Sequence, residues 1–478
     1  MVEESKCMSV GRAMPFACVV MVVCAFALTS IQIAEAGNLV MVEVKRRTTD
    51  RQWKPYNTRL LEHLADFVPK QVALSKYGGL KNAPVEATGF FHTRKIDGRW
   101  WLVDPQGCLF LTVGVCSVGT NPTERGRNAL RERFGDEAGW SRATNTMLRE
   151  MGYNTLGCWS QWEKFATTEP RLPYTTQLNF MSSYGKIRGG TYQKPGHTGY
   201  PSDCIFVFDP QFAMFCDRHA WERLSATKND PYLLGHFSDN EMPFRHDLLD
   251  RYLSLDKSDP GHQAAKKWCA ENGVEKGPKG FATRDREAFI EFVAATYYRT
   301  VNQAIKNVDP NHLYLGSRFH GSDLKRAAVW KGAGPYVDAI AVNYYGTWTP
   351  DAERMTNWVA WSGKPFFITE WYAKGMDSGL GNVSGAGWTV KTQADRGKFY
   401  QNFTLGLLEH SGCVGWHWFK YLDNDPTNLR TDPSNRDSNK GFVSNTYEPW
   451  TQLVEAMTAI NLQVYPLREF LGGRPDTP

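Results

Sequence analysis

Short apolar runs rich in β-branched and aromatic residues recur along the chain, each followed by a longer stretch whose apolar positions repeat every three to four residues. The runs are CLFLTVGV from Cys108, NTLGCW from Asn154, CIFVFDP from Cys204, LLGHFSDNE from Leu233, LYLGSRFH from Leu313, AIAVNYYG from Ala339, PFFITEWY from Pro365 and CVGWHWF from Cys413. Near-continuous hydrophobicity, without alternation, marks strands covered on both faces, as in parallel sheets flanked by helices. The clearest helix lies between Arg284 and Asn307, where Phe289, Phe292, Val293, Tyr297, Val301, Ala304 and Ile305 share one face and Asp309-Pro310 ends it. Two more run from Gln393 to His410 and from Pro449 to about Leu462. Eight such strand–helix repeats predict an α/β fold, a (β/α)8 TIM barrel over residues 101–465, with a C-terminal tail at 466–478. The alternative, an open doubly wound sheet, usually has fewer strands and a glycine-rich first turn that is absent here.

The flanks read differently. Pro15 to Leu28 is an apolar run of 14 residues, with Lys6 and Arg12 before it and Ala34-Glu35-Ala36 after it. That is the layout of a signal peptide over residues 1–36, cleaved before Gly37, so the mature chain is expected to be secreted or periplasmic. The run is too short for a comfortable membrane span, and no later stretch approaches one. Residues 37–100 form an N-terminal extension of weak period, a wrapping arm or part of a small accessory sheet. It closes on a hairpin that turns at Asp97-Gly98. The long interval between the fourth and fifth strands is expected to build the rim of the barrel.

Composition narrows the class. Of 478 residues, 42% are hydrophobic and 22% charged, which excludes a disordered chain. The net charge of +5 is spread without a basic block, so no nucleic-acid partner is expected. Three of the 10 cysteines (Cys7, Cys18, Cys24) fall in the leader, leaving an odd number, so at least one is unpaired in a monomer. There is no CxxC, HExxH, GxSxG or GxxxxGK[ST], and neither a metal nor a cofactor is called for. The 17 Trp, 20 Tyr and 26 Phe can both fill a core, where most are expected, and stack on ligand faces such as sugars.

In a barrel, chemistry collects where strands end. Glu241 ends the fourth strand and Glu370 the seventh. A strand-end carboxylate is costly unless it meets partners or solvent. Two on one rim are what a retaining glycosidase uses, one to attack the anomeric carbon and one to protonate the leaving oxygen. Each also has a plain reading as a rim ion-pair partner. Around them, Asn240 would bond the neighbouring ring hydroxyl, Tyr344 and Tyr345 would position a nucleophile, and Trp159, Trp416 and Trp418 would stack on sugar, with Trp162 able to join Trp159. His320 and Arg318 close the fifth strand, where the histidine would bond a sugar hydroxyl. His236 reads as structural, and His417 as pointing away from the site if its flanking tryptophans point in. Asp423 and Asp425 read as loop carboxylates with a lesser claim to sugar or a cation.

This constellation resembles clan A, the large clan of retaining glycoside hydrolases on (β/α)8 barrels, with Asn-Glu after the fourth strand and Glu after the seventh. GRWWLVDPQG near Gly98, GHFSDNE at Gly235, DPNHLYLGSRF at Asp309, FFITEW at Phe366, QADRGKFYQNF at Gln393 and VGWHWFKYLD at Val414 look like glycoside hydrolase family 50, the β-agarase family. The resemblance implies a polysaccharide substrate, agarose, with Glu241 as general acid/base and Glu370 as nucleophile. It implies too that Asn240, His320, Tyr344 or Tyr345, and Trp418 line the cleaving subsite. Residues 37–87 are too short for the larger N-terminal domain that members of the family often carry, and the likeness is looser around residues 191–203. A hydrolase of porphyran or carrageenan would need cations for sulfate, for which Arg318, Lys374 and Lys420 are the candidates. A reading from another class keeps the barrel as a non-catalytic sugar-binding module.

Overall fold

In the computed structural model, residues 39–82, 84–431 and 435–472 are described; the leader expected at 1–36 and the last six residues of the tail lie outside them. The chain enters through an antiparallel pair, β1 (Val40–Lys45) and β2 (Lys54–Thr58). Next comes the hairpin β3 (His92–Ile96) and β4 (Arg99–Val103), to which β5 (Leu109–Phe110) adds. The hairpin turns at Asp97 and Gly98 with φ of 47° and 80°, the left-handed pair that a tight two-residue turn requires. The first apolar run is thus divided: its start closes this small sheet, and β6 (Thr112–Val115) opens the large one.

The remaining elements follow as α1 (Glu124–Phe134), α2 (Glu137–Glu150), β7 (Thr155–Leu156), β8 (Tyr174–Gln177), α3 (Phe180–Arg188), the hairpin β9 (Tyr192–Lys194) and β10 (His197–Gly199), α4 (Phe212–Leu224) and β11 (Leu233–Phe237). The interval after the fourth strand of the large sheet holds α5 (Leu248–Leu253), α6 (Pro260–Asn272) and α7 (Thr283–Val308). Then come β12 (Leu313–Tyr314), α8 (Ala327–Ala333), β13 (Ile340–Asn343), α9 (Ala352–Ser362), β14 (Phe366–Glu370), β15 (Ala373–Gly375), β16 (Trp388–Val390), α10 (Gln393–Glu409), β17 (Cys413–Trp418), α11 (Thr451–Asn461) and α12 (Val464–Gly472). Helix starts follow side-chain chemistry: Thr123, Asp136, Asp351 and Thr392 each accept a hydrogen bond from a backbone N–H of the first turn. The apolar face read on α7 is buried as its spacing requires.

Eight parallel strands make the large sheet, in the order β12-β11-β8-β7-β6-β17-β14-β13. The expectation of a closed (β/α)8 TIM barrel is corrected here. The sheet is curled but open in its ladder, because the edge strands β12 and β13 are not paired as strands and one isolated bridge, Phe319 with Val342, spans the seam. β12 stops at Tyr314, and the chain meets β13 again only at Phe319, beyond the end of the strand. The third strand is a second correction. CIFVFDP is a buried loop whose Phe208 packs on Tyr252 and Phe292, and the strand itself is the short, β-branched β8.

Leu234, Phe237, Leu313, Ala341, Phe367 and Val414 belong to the apolar cluster inside the curl, and a larger cluster packs the sheet against its helices. The N-terminal pair joins a four-stranded sheet, β15-β16-β1-β2, with two strands that follow β14. All seven cysteines of the described residues are free thiols. Among the described residues no helix is long and apolar enough to cross a membrane.

Candidate active site at the strand ends

Five neighbouring strands, β12, β11, β8, β7 and β6, are each followed just past their ends by a residue of left-handed backbone: Arg318 (φ 56°), Glu241 (53°), Asn179 (59°), Trp159 (60°) and Ser117 (53°). Such a conformation costs a side chain about 1–3 kcal/mol and persists only where surrounding bonds hold it. Here the turns gather the strand-end side chains at one mouth of the sheet. A cleft of about 640 Å³ opens there, and Glu241, Glu370, Trp159, His197, His320 and Tyr345 are among the residues that line it.

Glu370 accepts a hydrogen bond from the Tyr345 hydroxyl at 2.9 Å and forms an ion pair with Arg318 Nη2 at 2.7 Å. Arg318 is fully buried. Its guanidinium also donates to Asn240 Oδ1 (3.1 Å), the Thr369 carbonyl (3.1 Å) and Cys158 Sγ (3.3 Å), and lies 4.2 Å from the Trp159 ring centroid. Glu241 takes a 2.8 Å hydrogen bond from Asn343 Nδ2 on Oε1, with His197 Nδ1 3.4 Å from Oε2. Asn240 donates to the Gly196 carbonyl at 3.3 Å, which ties the β9–β10 hairpin over the acid.

The two carboxyls feel different surroundings. Burial pushes Glu370 up, the Arg318 charge and the Tyr345 hydroxyl pull it down, and the charge on Glu241 adds to the rise. Burial likewise pushes Glu241 up, but the charge of His320 and the bonds from His197 and Asn343 outweigh it and hold it at about 2. The His320 part of that depression needs an imidazolium. Burial itself lowers His320, so near neutral pH the ring is uncharged and this support is withdrawn, whereas Arg318 remains a cation throughout. Because the carboxyls interact, their two protons belong to the pair.

Of the residues expected at the site, Glu241, Glu370, His320, Tyr345 and Trp159 line the cleft, Arg318 pairs with Glu370, and Asn240 bonds Arg318 and the Gly196 carbonyl. Three expected residues are corrected. Trp416 and Trp418 are buried, their indole N–H groups spent on the Tyr400 hydroxyl (2.9 Å) and the Lys440 carbonyl (3.1 Å). Tyr344 is buried too, accepting from the Asp351 N–H and packed against Trp358 and Phe403. The strand alternation at the eighth strand was legible but its parity was not. It is His417 that faces the inside of the curl, bonded to Thr112 Oγ1 at 2.8 Å and packed where a Cβ at Gly114 or Gly157 would collide with its ring.

Trp162 stacks on Tyr174 at 4.4 Å, and Asp423 and Asp425 are buried among protein donors rather than solvated. Lys374 spends its ammonium on the Ser384 and Asn382 carbonyls, while Lys420 lines the cleft.

No family model matches the chain. Among solved structures, BpGH50 is 30% identical, with a TM-score of 0.81 over 91% of this chain and 96% of that one. The chain belongs to glycoside hydrolase family 50. Two further structures share the fold at 22% identity and a TM-score of 0.69: the agarase AgWH50C, over 84% of this chain and 67% of that one, and an exo-β-agarase, over 85% and 69%. Beta-agarase B of Vibrio sp. (strain JT0107) is 29% identical over 82% of this chain, and Beta-agarase A of the same strain 27% over 77%. The chain spans about half the length of these two curated relatives, 50% and 45%. The matches reach the family and not the wider clan.

For this member of family 50, sequence reasoning missed Asn343 and His197, the two side chains that touch Glu241, along with Tyr372 and Lys440 on the cleft wall. Asn343 sits in the same strand end as the tyrosines that were read, so a signal existed. His197 comes from a three-residue hairpin strand with no pattern to announce it.

Proposed function

We propose that the protein is a β-agarase, a retaining glycoside hydrolase that cleaves β-galactosidic bonds of agarose. The observation that carries this is the pair of strand-end glutamates lining one cleft, each with a different kind of partner. Glu370, against a permanent cation and a phenol, is the nucleophile: its oxygen bonds to the anomeric carbon as the glycosidic C–O bond breaks. Glu241, beside an amide and the His320 ring that burial keeps neutral, is the acid. It gives its proton to the leaving oxygen, then takes one from the water that releases the sugar. That path asks for carboxyl groups about 5–5.5 Å apart. Trp159 offers an exposed ring to a sugar face, with 40% of its surface open. The names of the relatives support agarose as substrate, and the leader pattern supports export.

The test is product analysis by mass and NMR after incubation of residues 37–478 with agarose, porphyran, carrageenan and an aryl β-galactoside. The expected result is neoagaro-oligosaccharides, first released in the β configuration, with wild type only; Glu370→Gln is expected to lose about 10³-fold or more in turnover while still binding oligosaccharide. Products of inverted configuration, or an active Glu370→Gln, sink the mechanism. Lys420 and Lys440 on the wall favour one second reading, a sulfated galactan, which the porphyran and carrageenan arms score directly.

A further inference from the structure

Among the described residues, two clusters bring two histidines and one carboxylate within ligating distance of each other, and they differ in what their nitrogens do. In His236–Asp309–His312 every ring nitrogen is occupied: His236 bonds Asp309 (3.0 Å) and Thr176 (2.7 Å), and His312 bonds Asp309 (2.7 Å) and the Asp230 carbonyl (2.9 Å). All three side chains are fully buried. That cluster is a structural lock.

The second cluster is His197, Glu241 and His320, whose potential ligand atoms lie within 4.8 Å of one another. Here the ring nitrogens are not used up. His320 Nδ1 is buried without a hydrogen-bond partner among the described residues. The His197 and His320 rings sit 5.4 Å apart between centroids. All three residues line the cleft, so the cluster opens to solvent on one side.

We propose that His197, Glu241 and His320 form a binding site for a borderline-soft divalent cation, Zn²⁺ in the first instance, whose occupation blocks the cleft. The donor set is two imidazoles and one carboxylate with an open fourth position, which suits Zn²⁺ and the neighbouring late transition metals and disfavours Ca²⁺ and Mg²⁺. Tetrahedral bonds of about 2.0–2.1 Å place neighbouring ligand atoms about 3.3–3.4 Å apart. His197 Nδ1 and Glu241 Oε2 already stand at 3.4 Å, and His320 completes the set within 4.8 Å. Glu241 Oε1 keeps its bond from Asn343, an outer partner that fixes the ligating carboxylate. The three residues are widely separated along the chain, so no metal spacing exists in the sequence. A cation seated here occupies the Glu241 oxygen that would carry the proton. This blocking half rests on the reading of Glu241 as the acid.

Calorimetric titration of the full chain with Zn²⁺ at neutral pH tests the site, and the anomalous signal of a zinc-soaked crystal locates the ion. The expected result is one zinc per chain in the cleft, weakened about 10–100-fold in His197→Ala and in His320→Gln and unchanged in His262→Ala, which removes a histidine of α6 outside the cleft. His197 sits on a surface hairpin, so its variant separates lost ligation from lost folding. Zinc is also expected to suppress hydrolysis of agaro-oligosaccharides, with EDTA restoring it. Equal affinity in all variants, or an ion located elsewhere, overturns the site; zinc in place with undiminished hydrolysis overturns the blocking. A chain that binds zinc as described yet cleaves no galactan supports the site and overturns the agarase reading instead.

Discussion

Arg318 carries its charge with no exposed surface, and that charge is spent on Glu370. Breaking a buried pair from one side leaves an unpaired carboxylate, which costs about 3–5 kcal/mol. Arg318→Met is expected to lower stability by that order in urea unfolding and to cut kcat by about 10²-fold or more. Arg318→Lys is expected to rescue little of either, because a single ammonium cannot serve Glu370, Asn240 and the Thr369 carbonyl together. The tryptophans separate the same way. Trp416→Phe forfeits the bond to Tyr400 and some packing, about 1–3 kcal/mol, and should leave KM for polysaccharide near wild type. Trp159→Ala should raise KM several-fold, about 1 kcal/mol of stacking, with little loss of stability. Both glutamates were legible as cleft residues because an acid at the end of an apolar strand contradicts its surroundings and must meet partners or solvent. Trp416 and Trp418 were misread because alternation gives two sets of side chains without saying which set faces inward.

At the scale of elements, the N-terminal extension proves to be scaffolding for the cleft. Arg46 follows β1 and donates to the Ala386 carbonyl at 2.6 Å, Thr48 bonds the Asn382 carbonyl, and Lys374 in β15 holds Ser384 at 2.8 Å. These contacts peg the stretch whose Ser384, Gly385 and Ala386 form one wall. Arg46→Ala should therefore raise KM for oligosaccharides while kcat changes less, as steady-state kinetics on defined-length substrates would reveal. If kcat alone fell, the wall would be positioning the reacting groups instead. Seven of the eight large-sheet strands lay where apolar runs put them, since a strand buried on both faces has little choice of composition. The third did not. A continuous apolar run is equally content in a buried loop, and the four-residue β8, YTTQ, is mostly polar, with hydroxyls that bond neighbours such as His236. Pairing between β1 and β16 joins segments too distant in sequence for any local pattern to reveal.

For the whole molecule, the buried histidines set a response to acid. Burial, with the Arg318 charge adding, lowers His417 from 6.5 to about 3, and burial lowers His236 as well. The native state thus refuses protons that the unfolded chain accepts. The stability tied to His417 is full above about 6.5 and is lost as pH falls from there toward 3, at up to about 1.4 kcal/mol per pH unit for each such proton. Urea unfolding between pH 7 and 4 should show stability falling with acid, and His417→Gln should flatten that slope. The open seam between β12 and β13 has a consequence of its own. Backbone contact there is one bridge and a bond from the Asp338 N–H to the Tyr314 carbonyl, and side chains add to it: Arg318 reaches the Thr369 carbonyl, Thr369 reaches Asn343 at 2.9 Å, and Asn343 reaches Glu241. The clasp that draws the curl together and the groups that hold the two glutamates are one set of bonds. Heat or denaturant that parts the clasp would silence the enzyme while its helices and strands still stand, so this protein would report damage first through its chemistry and only afterwards through its shape.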